Sequence, residues 1–127
     1  MNPLPNILIE AYKNGYITKD NGEKIVTTSQ VSEQEAIEIY EVVKHLQPEN
    51  SCEVGFYQGF SGLSILQALE DNGNGTHYAC DPSESTLAKN IGLENVKKAH
   101  RSPIVYNSMN VTSKIYTPNC LNFNLPS

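Results

Sequence analysis

The sequence predicts an α/β fold built on a doubly wound parallel sheet. Three observations carry this reading. Segments of helical and extended character alternate along the chain from about residue 32 to residue 92. Two short strand-like runs each deliver an acidic residue near their ends, Glu53 and Asp81. The first of these runs passes into a glycine-containing turn that opens a helix. Strands separated by helices pair in parallel and gather ligands at their carboxyl ends. The expected architecture is Rossmann-like and truncated after its first strands and helices.

Taken in order, residues 1–30 read as an N-terminal arm, polar and Asn/Gly-containing, with Ile7 to Tyr16 as a short helix or an extended approach. Lys19-Asp20-Asn21-Gly22 is a turn. Ser32 and Glu35 form a capping box, and Ala36, Ile39, Tyr40, Val43 and Leu46 recur at helical spacing until Pro48 ends the helix. Ser51 to Val54 is a short strand. Phe60 to Asp71 is a second helix with Leu63, Leu66 and Leu69 on its buried face. Asn72-Gly73-Asn74-Gly75 turns into a strand at Thr76 to Cys80. Pro82-Ser83-Glu84 opens a third helix that runs to about Ile91 and ends at Gly92.

After His100 the character changes. Residues 101–127 hold no Asp or Glu, two basic residues, five Asn, three Pro and four Ser, so they read as an atypical tail. Ile104-Val105-Tyr106 and Val111 to Tyr116 have strand character, and neither leads into a helix pattern.

Composition narrows the function classes. A chain of 127 residues is a single small domain at most, and a 39% hydrophobic content suffices for a modest core. A net charge of −5 gives no electrostatic support to a nucleic-acid partner. No apolar run approaches membrane length, and Met1-Asn2-Pro3-Leu4-Pro5 has no basic leader character, so a soluble cytoplasmic protein is expected. Three cysteines without secretory context read as reduced thiols. Cys52 and Cys80 fall in the two strands and read as small buried hydrophobes, and no Cys or His spacing suggests a metal.

The candidate site is the run Glu53-Val54-Gly55-Phe56-Tyr57-Gln58-Gly59-Phe60-Ser61. Gly55 and Gly59 remove side chains where a ligand must meet the main chain. Their G-x-x-x-G spacing differs from the G-x-G-x-x-G of a pyrophosphate cradle, and Glu53 would repel a phosphate. A carboxylate beside a glycine turn suits a nucleoside that carries an amino acid, which points to S-adenosylmethionine. Glu53 would take the ammonium, with a helix-dipole partner as its other reading. Ser61 would cap the helix, bond the ligand carboxylate, or both. Tyr57 is either a cover over the ligand or an exposed loop aromatic. Asp81, 28 residues after Glu53, would accept ribose hydroxyls, with a helix N-cap as its other reading. Tyr78 reads as core, and Thr28 and Ser29 as a turn before the helix. His45, His77 and His100 read as a helix end, a strand residue, and a helix or loop residue.

Residues from about 23 to 100 resemble the first half of a class I S-adenosylmethionine-dependent methyltransferase. The branch they resemble contains catechol O-methyltransferase and related bacterial small-molecule methyltransferases. There the first loop reads acidic-x-Gly-x-Tyr-x-Gly-Tyr/Phe-Ser, and Glu53, Gly55, Tyr57, Gly59, Phe60 and Ser61 match it. Thr28 to Ala36 is similar to the family's lead-in, and His77-Tyr78-Ala79-Cys80-Asp81-Pro82 to its second strand with the terminal acid. The resemblance implies that residues 31–100 are the cofactor-binding half of such a domain, acting on a small-molecule acceptor at oxygen, and that Thr28 and Ser29 close the methionine end of the pocket. Relatives place metal ligands or a general base after the second strand, yet the only acids beyond Asp81 are Glu84 and Glu94. The expectation is a chain that binds S-adenosylmethionine and is weakly active or inactive alone. Two alternatives stay open: a non-catalytic module that binds a partner, and a different Rossmann-type nucleotide enzyme. A parallel sheet this small leaves an open edge, so a marginal monomer or a dimer pairing exposed edges is expected.

Overall fold

The computed structural model of the chain describes residues 1–81, 91–99 and 111–116. Pro5 starts α1 (Asn6–Asn14), its carbonyl accepting the amides of Leu8 and Ile9 at 2.9 and 3.1 Å. Leu8 and Ala11 are buried, and Gly15 closes the helix through its amide to the Ala11 carbonyl. The arm then forms a hairpin, β1 (Tyr16–Thr18) against β2 (Lys24–Val26), antiparallel with Ile17 opposite Ile25. Its turn is the predicted one, closed by the Gly22 amide on the Lys19 carbonyl at 2.9 Å.

The capping box forms as read and starts α2 (Glu33–Leu46). The Ser32 hydroxyl accepts the Glu35 amide at 3.1 Å, and the Glu35 carboxylate accepts the Ser32 amide at 2.8 Å. Ala36 and Tyr40 are buried, whereas Leu46 at the end of the apolar stripe is 67% exposed. After β3 (Asn50–Val54) comes α3 (Phe60–Asn72), which buries Leu63, Leu66 and Leu69 as predicted. Burial of each such leucine contributes about 1.5–3 kcal/mol. The two helices are tied by the Tyr40 hydroxyl donating to Asp71, by Lys44 Nζ donating to Asn72 Oδ1 at 3.1 Å, and by Asn72 Nδ2 donating to the Val43 carbonyl at 3.3 Å.

Strands β3, β4 (Gly75–Cys80) and β5 (Val111–Tyr116) form a parallel sheet in that order, with Glu53 opposite Ala79 and Ala79 opposite Ile115. This is the α/β, Rossmann-like arrangement expected, and β5 has the predicted bounds. The remaining helix, α4 (Ile91–Ala99), corrects one expectation: Gly92 lies inside a helix instead of ending one. A Cβ placed on Gly59 would lie 3.4 Å from the Gly92 Cα, so α4 packs against the loop before α3 at this glycine. The helix expected from Pro82 to Ile91 falls mostly outside the described residues, as do Ile104 to Tyr106 and most of the tail.

Cys52 corrects another. It is exposed, because β3 is an edge strand among the described residues and alternates Asn50, Cys52 and Val54 (82% exposed) onto an uncovered face. Ser51 and Glu53 take the face under α3.

Two tyrosines make the fold alkali-sensitive. Burial pushes the hydroxyl of Tyr12 up to about 12, helped by Glu33 and Glu35. Tyr40 is also pushed up to about 12, by burial first and then by its bond to Asp71. A group whose pKa is higher in the folded state stabilises fully below its unfolded value and loses that contribution as pH rises through the folded value. The melting temperature is therefore expected to fall between pH about 10 and about 12, and Tyr40→Phe to lessen the fall. A flat melting profile across that window would contradict the assignment.

Candidate functional site

The glycine turn sits at the carboxyl end of β3, where open α/β sheets bind ligands. Three separate elements hold it. From β4, Asp81 Oδ2 accepts the amides of Phe56 and Tyr57 at 2.8 and 2.7 Å, with Asp81 only 7% exposed. From the arm, the buried Gln58 side chain accepts the Thr28 amide at 3.2 Å and donates to the Val26 carbonyl at 3.1 Å. From α4, the buried Asn95 donates to the Gln58 carbonyl at 2.9 Å. The loop also closes on itself through the Gly59 amide and the Phe56 carbonyl at 2.8 Å. Tyr57 and Gly59 take left-handed backbone, φ +47° and +86°. Only the glycine does so without strain.

Glu53 is held as firmly. His77 Nε2 lies 2.9 Å from Oε1, and the Ser61 hydroxyl donates to Oε2 at 2.6 Å. Ser61 therefore anchors the acid, and no side chain caps the start of α3. A Cβ on Gly62 would come within 2.6 Å of Glu53 Oε1 and would also strike the Phe56 ring, so the carboxylate occupies space that only glycine leaves. Ser51 Oγ lies 2.9 Å from His77 Nδ1, completing a chain of Ser51, His77, Glu53 and Ser61.

A small cavity of about 100 Å³ opens between Ser29–Val31 and Gly55–Ser61. Gly55, Tyr57, Gly59 and Ser61 line it, while Glu53 and Asp81 act on that lining from behind. The hydroxyls of Thr28 and Tyr57 meet at 2.8 Å. Tyr57 thus touches the lead-in segment. A larger cavity of about 640 Å³ lies elsewhere, bounded by Pro3, Pro5, Glu10 and Lys98, and it contains none of the residues nominated from the sequence. Its lining offers no comparable set of oriented groups, so the chemistry points to the glycine turn.

Tyr78 is core, 1% exposed, as read, and His45 ends α2. His100 and the N-cap reading of Asp81 concern residues outside those described. Sequence reasoning missed Gln58, Gly62, Asn95 and the role of His77. The signal for His77 was the strand register: Ser51 pairs with His77 and Glu53 with Ala79, so parallel alternation puts Ser51, Glu53 and His77 on one face. Among the described residues no three His, Cys, Asp or Glu side chains cluster as metal ligands, and no helix is long and apolar enough to cross a membrane.

No known family model matches the chain, and no curated protein is significantly similar to it. Solved structures do match. PaMTH1, a methyltransferase of Podospora anserina solved with SAH bound, superposes with a TM-score of 0.59 at 14% identity. The likeness shows a Rossmann-like α/β fold. The match covers 94% of this chain and 44% of that one, so this chain spans less than half the length of the methyltransferase it resembles.

Proposed function

We propose that the chain carries the S-adenosylmethionine-binding half of a methyltransferase. The observation that carries this reading is Glu53, a carboxylate held by His77 and Ser61 beside a braced glycine turn. A carboxylate offers about four acceptor positions, and those two donors use two. With 12% of its side chain exposed, Glu53 keeps acceptor capacity for an ammonium. The donor set fits the amino-acid end of the cofactor, which when bound supplies a methyl group on a sulfonium. Gly55 and Gly59 admit close main-chain approach, and Ser61 lines the same cavity with its hydroxyl proton given to Glu53. Asp81 fixes the loop amides and, as a second task, accepts a ribose hydroxyl once the ligand has opened the turn. Ligand sites usually measure about 300–1,000 Å³, so entry requires the Tyr57 hydroxyl to leave Thr28 and swing over the ligand.

The acceptor in this proposal is a small molecule methylated at oxygen, in a branch similar to catechol O-methyltransferase, and the protein works in the cytoplasm. Methyl transfer needs the acceptor oxygen aligned with the sulfonium carbon and its proton removed. Beyond Asp81 the acids are Glu84 and Glu94, and Glu94 bonds the Asp20 amide at 3.1 Å and Lys19 Nζ at 3.6 Å. That engagement favours a second reading, in which this chain binds cofactor or a partner without catalysing transfer alone. The edge of β3, which pairs with no further strand among the described residues and has Cys52 and Val54 exposed beside it, then serves as a pairing edge for a second copy.

Calorimetric titration with S-adenosylhomocysteine tests the proposal. Saturable binding is expected, with Glu53→Ala weakening it about tenfold or more, as loss of one charged hydrogen bond implies. A folded chain that does not bind would leave only the likeness of fold.

A further inference from the structure

His77 has no exposed surface, and both ring nitrogens have partners, Ser51 Oγ and Glu53 Oε1, each at 2.9 Å. A carboxylate only accepts, so Nε2 must carry a proton toward Glu53. Ser51 Oγ at Nδ1 holds the other edge of the ring. Ser61 supplies the other donor at 2.6 Å, and Gly62 packs against Oε1. Both carboxylate oxygens are therefore fixed in place by hydrogen-bond donors.

We propose that Ser51 and His77 form a positioning relay that orients Glu53 for the ammonium of an amino-acid-bearing nucleoside. The relay makes the site selective for ligands with an amino-acid tail over the same nucleoside without one. This inference rests on the function proposed above and adds residues with no direct ligand contact. Relay residues act through Glu53, so their loss penalises one end of the ligand only.

The test compares S-adenosylhomocysteine with methylthioadenosine, which keeps the adenosine and thioether and lacks the amino acid. Binding of both is measured by calorimetry on the wild-type chain, His77→Leu, His77→Gln and Ser51→Ala, each first shown to melt cooperatively. The leucine variant is expected to bind S-adenosylhomocysteine about tenfold more weakly, with methylthioadenosine within about twofold of wild type. Glutamine, whose amide can still donate to Glu53, is expected to restore most of the difference, and Ser51→Ala to show a smaller loss of the same kind. Equal weakening of both ligands, or no change in either, overturns the relay while the cofactor site stands. Failure of the wild-type chain to bind S-adenosylhomocysteine overturns the function proposal and the relay with it. If the leucine variant does not fold, the glutamine and Ser51→Ala variants decide: unchanged selectivity in Ser51→Ala together with a loss in glutamine overturns the relay.

Discussion

Replacing Asp81 by alanine is expected to lower the stability of the chain by about 2–4 kcal/mol and to abolish ligand binding at the glycine turn. One carboxylate oxygen accepts two consecutive loop amides at 2.8 and 2.7 Å, in a residue 7% exposed. Hydrogen bonds to a charged group contribute about 1.5–3 kcal/mol each, and removing the acceptor leaves donors such as the buried Phe56 amide without one. Set against a total stability of about 5–15 kcal/mol for an ordinary domain, this is a large fraction. Asp81→Asn keeps an acceptor oxygen without the charge and should fall between the two. Urea denaturation checks this directly: a midpoint for the alanine variant equal to that of the parent would show that the loop does not depend on Asp81.

Gly62→Ala is expected to destabilise by about 1–3 kcal/mol, although alanine is the better helix former by about 1 kcal/mol. The position lies inside α3 and needs no special backbone, so propensity alone predicts a gain. The added methyl would sit 2.6 Å from Glu53 Oε1 and against the Phe56 ring, both constrained by their own contacts. The sign of the effect separates packing from propensity. Combining Gly62→Ala with Glu53→Ala should recover part of the loss, since the second change removes one of the two obstacles, and a double-mutant cycle measures that coupling. A stabilised single variant would mean that Glu53 moves aside at little cost, which would weaken its assignment as a fixed group.

Elements whose signal is local were legible in the sequence. The capping box at Ser32 and Glu35, the leucine spacing of α3 and the turn at Gly22 each depend on residues a few positions apart. The glycine turn was legible for the same reason. The hairpin was not: Tyr16–Thr18 and Lys24–Val26 are three residues each, too short for alternation to show. Cys52 was read as buried from its place in a strand, but burial depends on whether anything covers that face. Gly92 looked like a helix stop because a glycine after an apolar run is a common helix end, yet here it lies inside α4. The contacts that brace the site, Asp81 to the loop, Asn95 to Gln58 and His77 to Glu53, all join residues far apart, and only the strand register of β3 and β4 brings the last pair into view.

The central claim is that the turn from Glu53 to Ser61 is a cofactor half-site. An amide NMR titration of the intact chain with S-adenosylhomocysteine tests it most directly, because it reports where a ligand sits as well as whether it binds. Saturable shifts concentrated at residues 55–61 and 28–31 and at Asp81 are expected, with saturation moved to about tenfold higher ligand concentration or more in Glu53→Ala. Shifts concentrated at Pro3 to Glu10 and Lys98, or no saturable shifts in a folded chain, would contradict it.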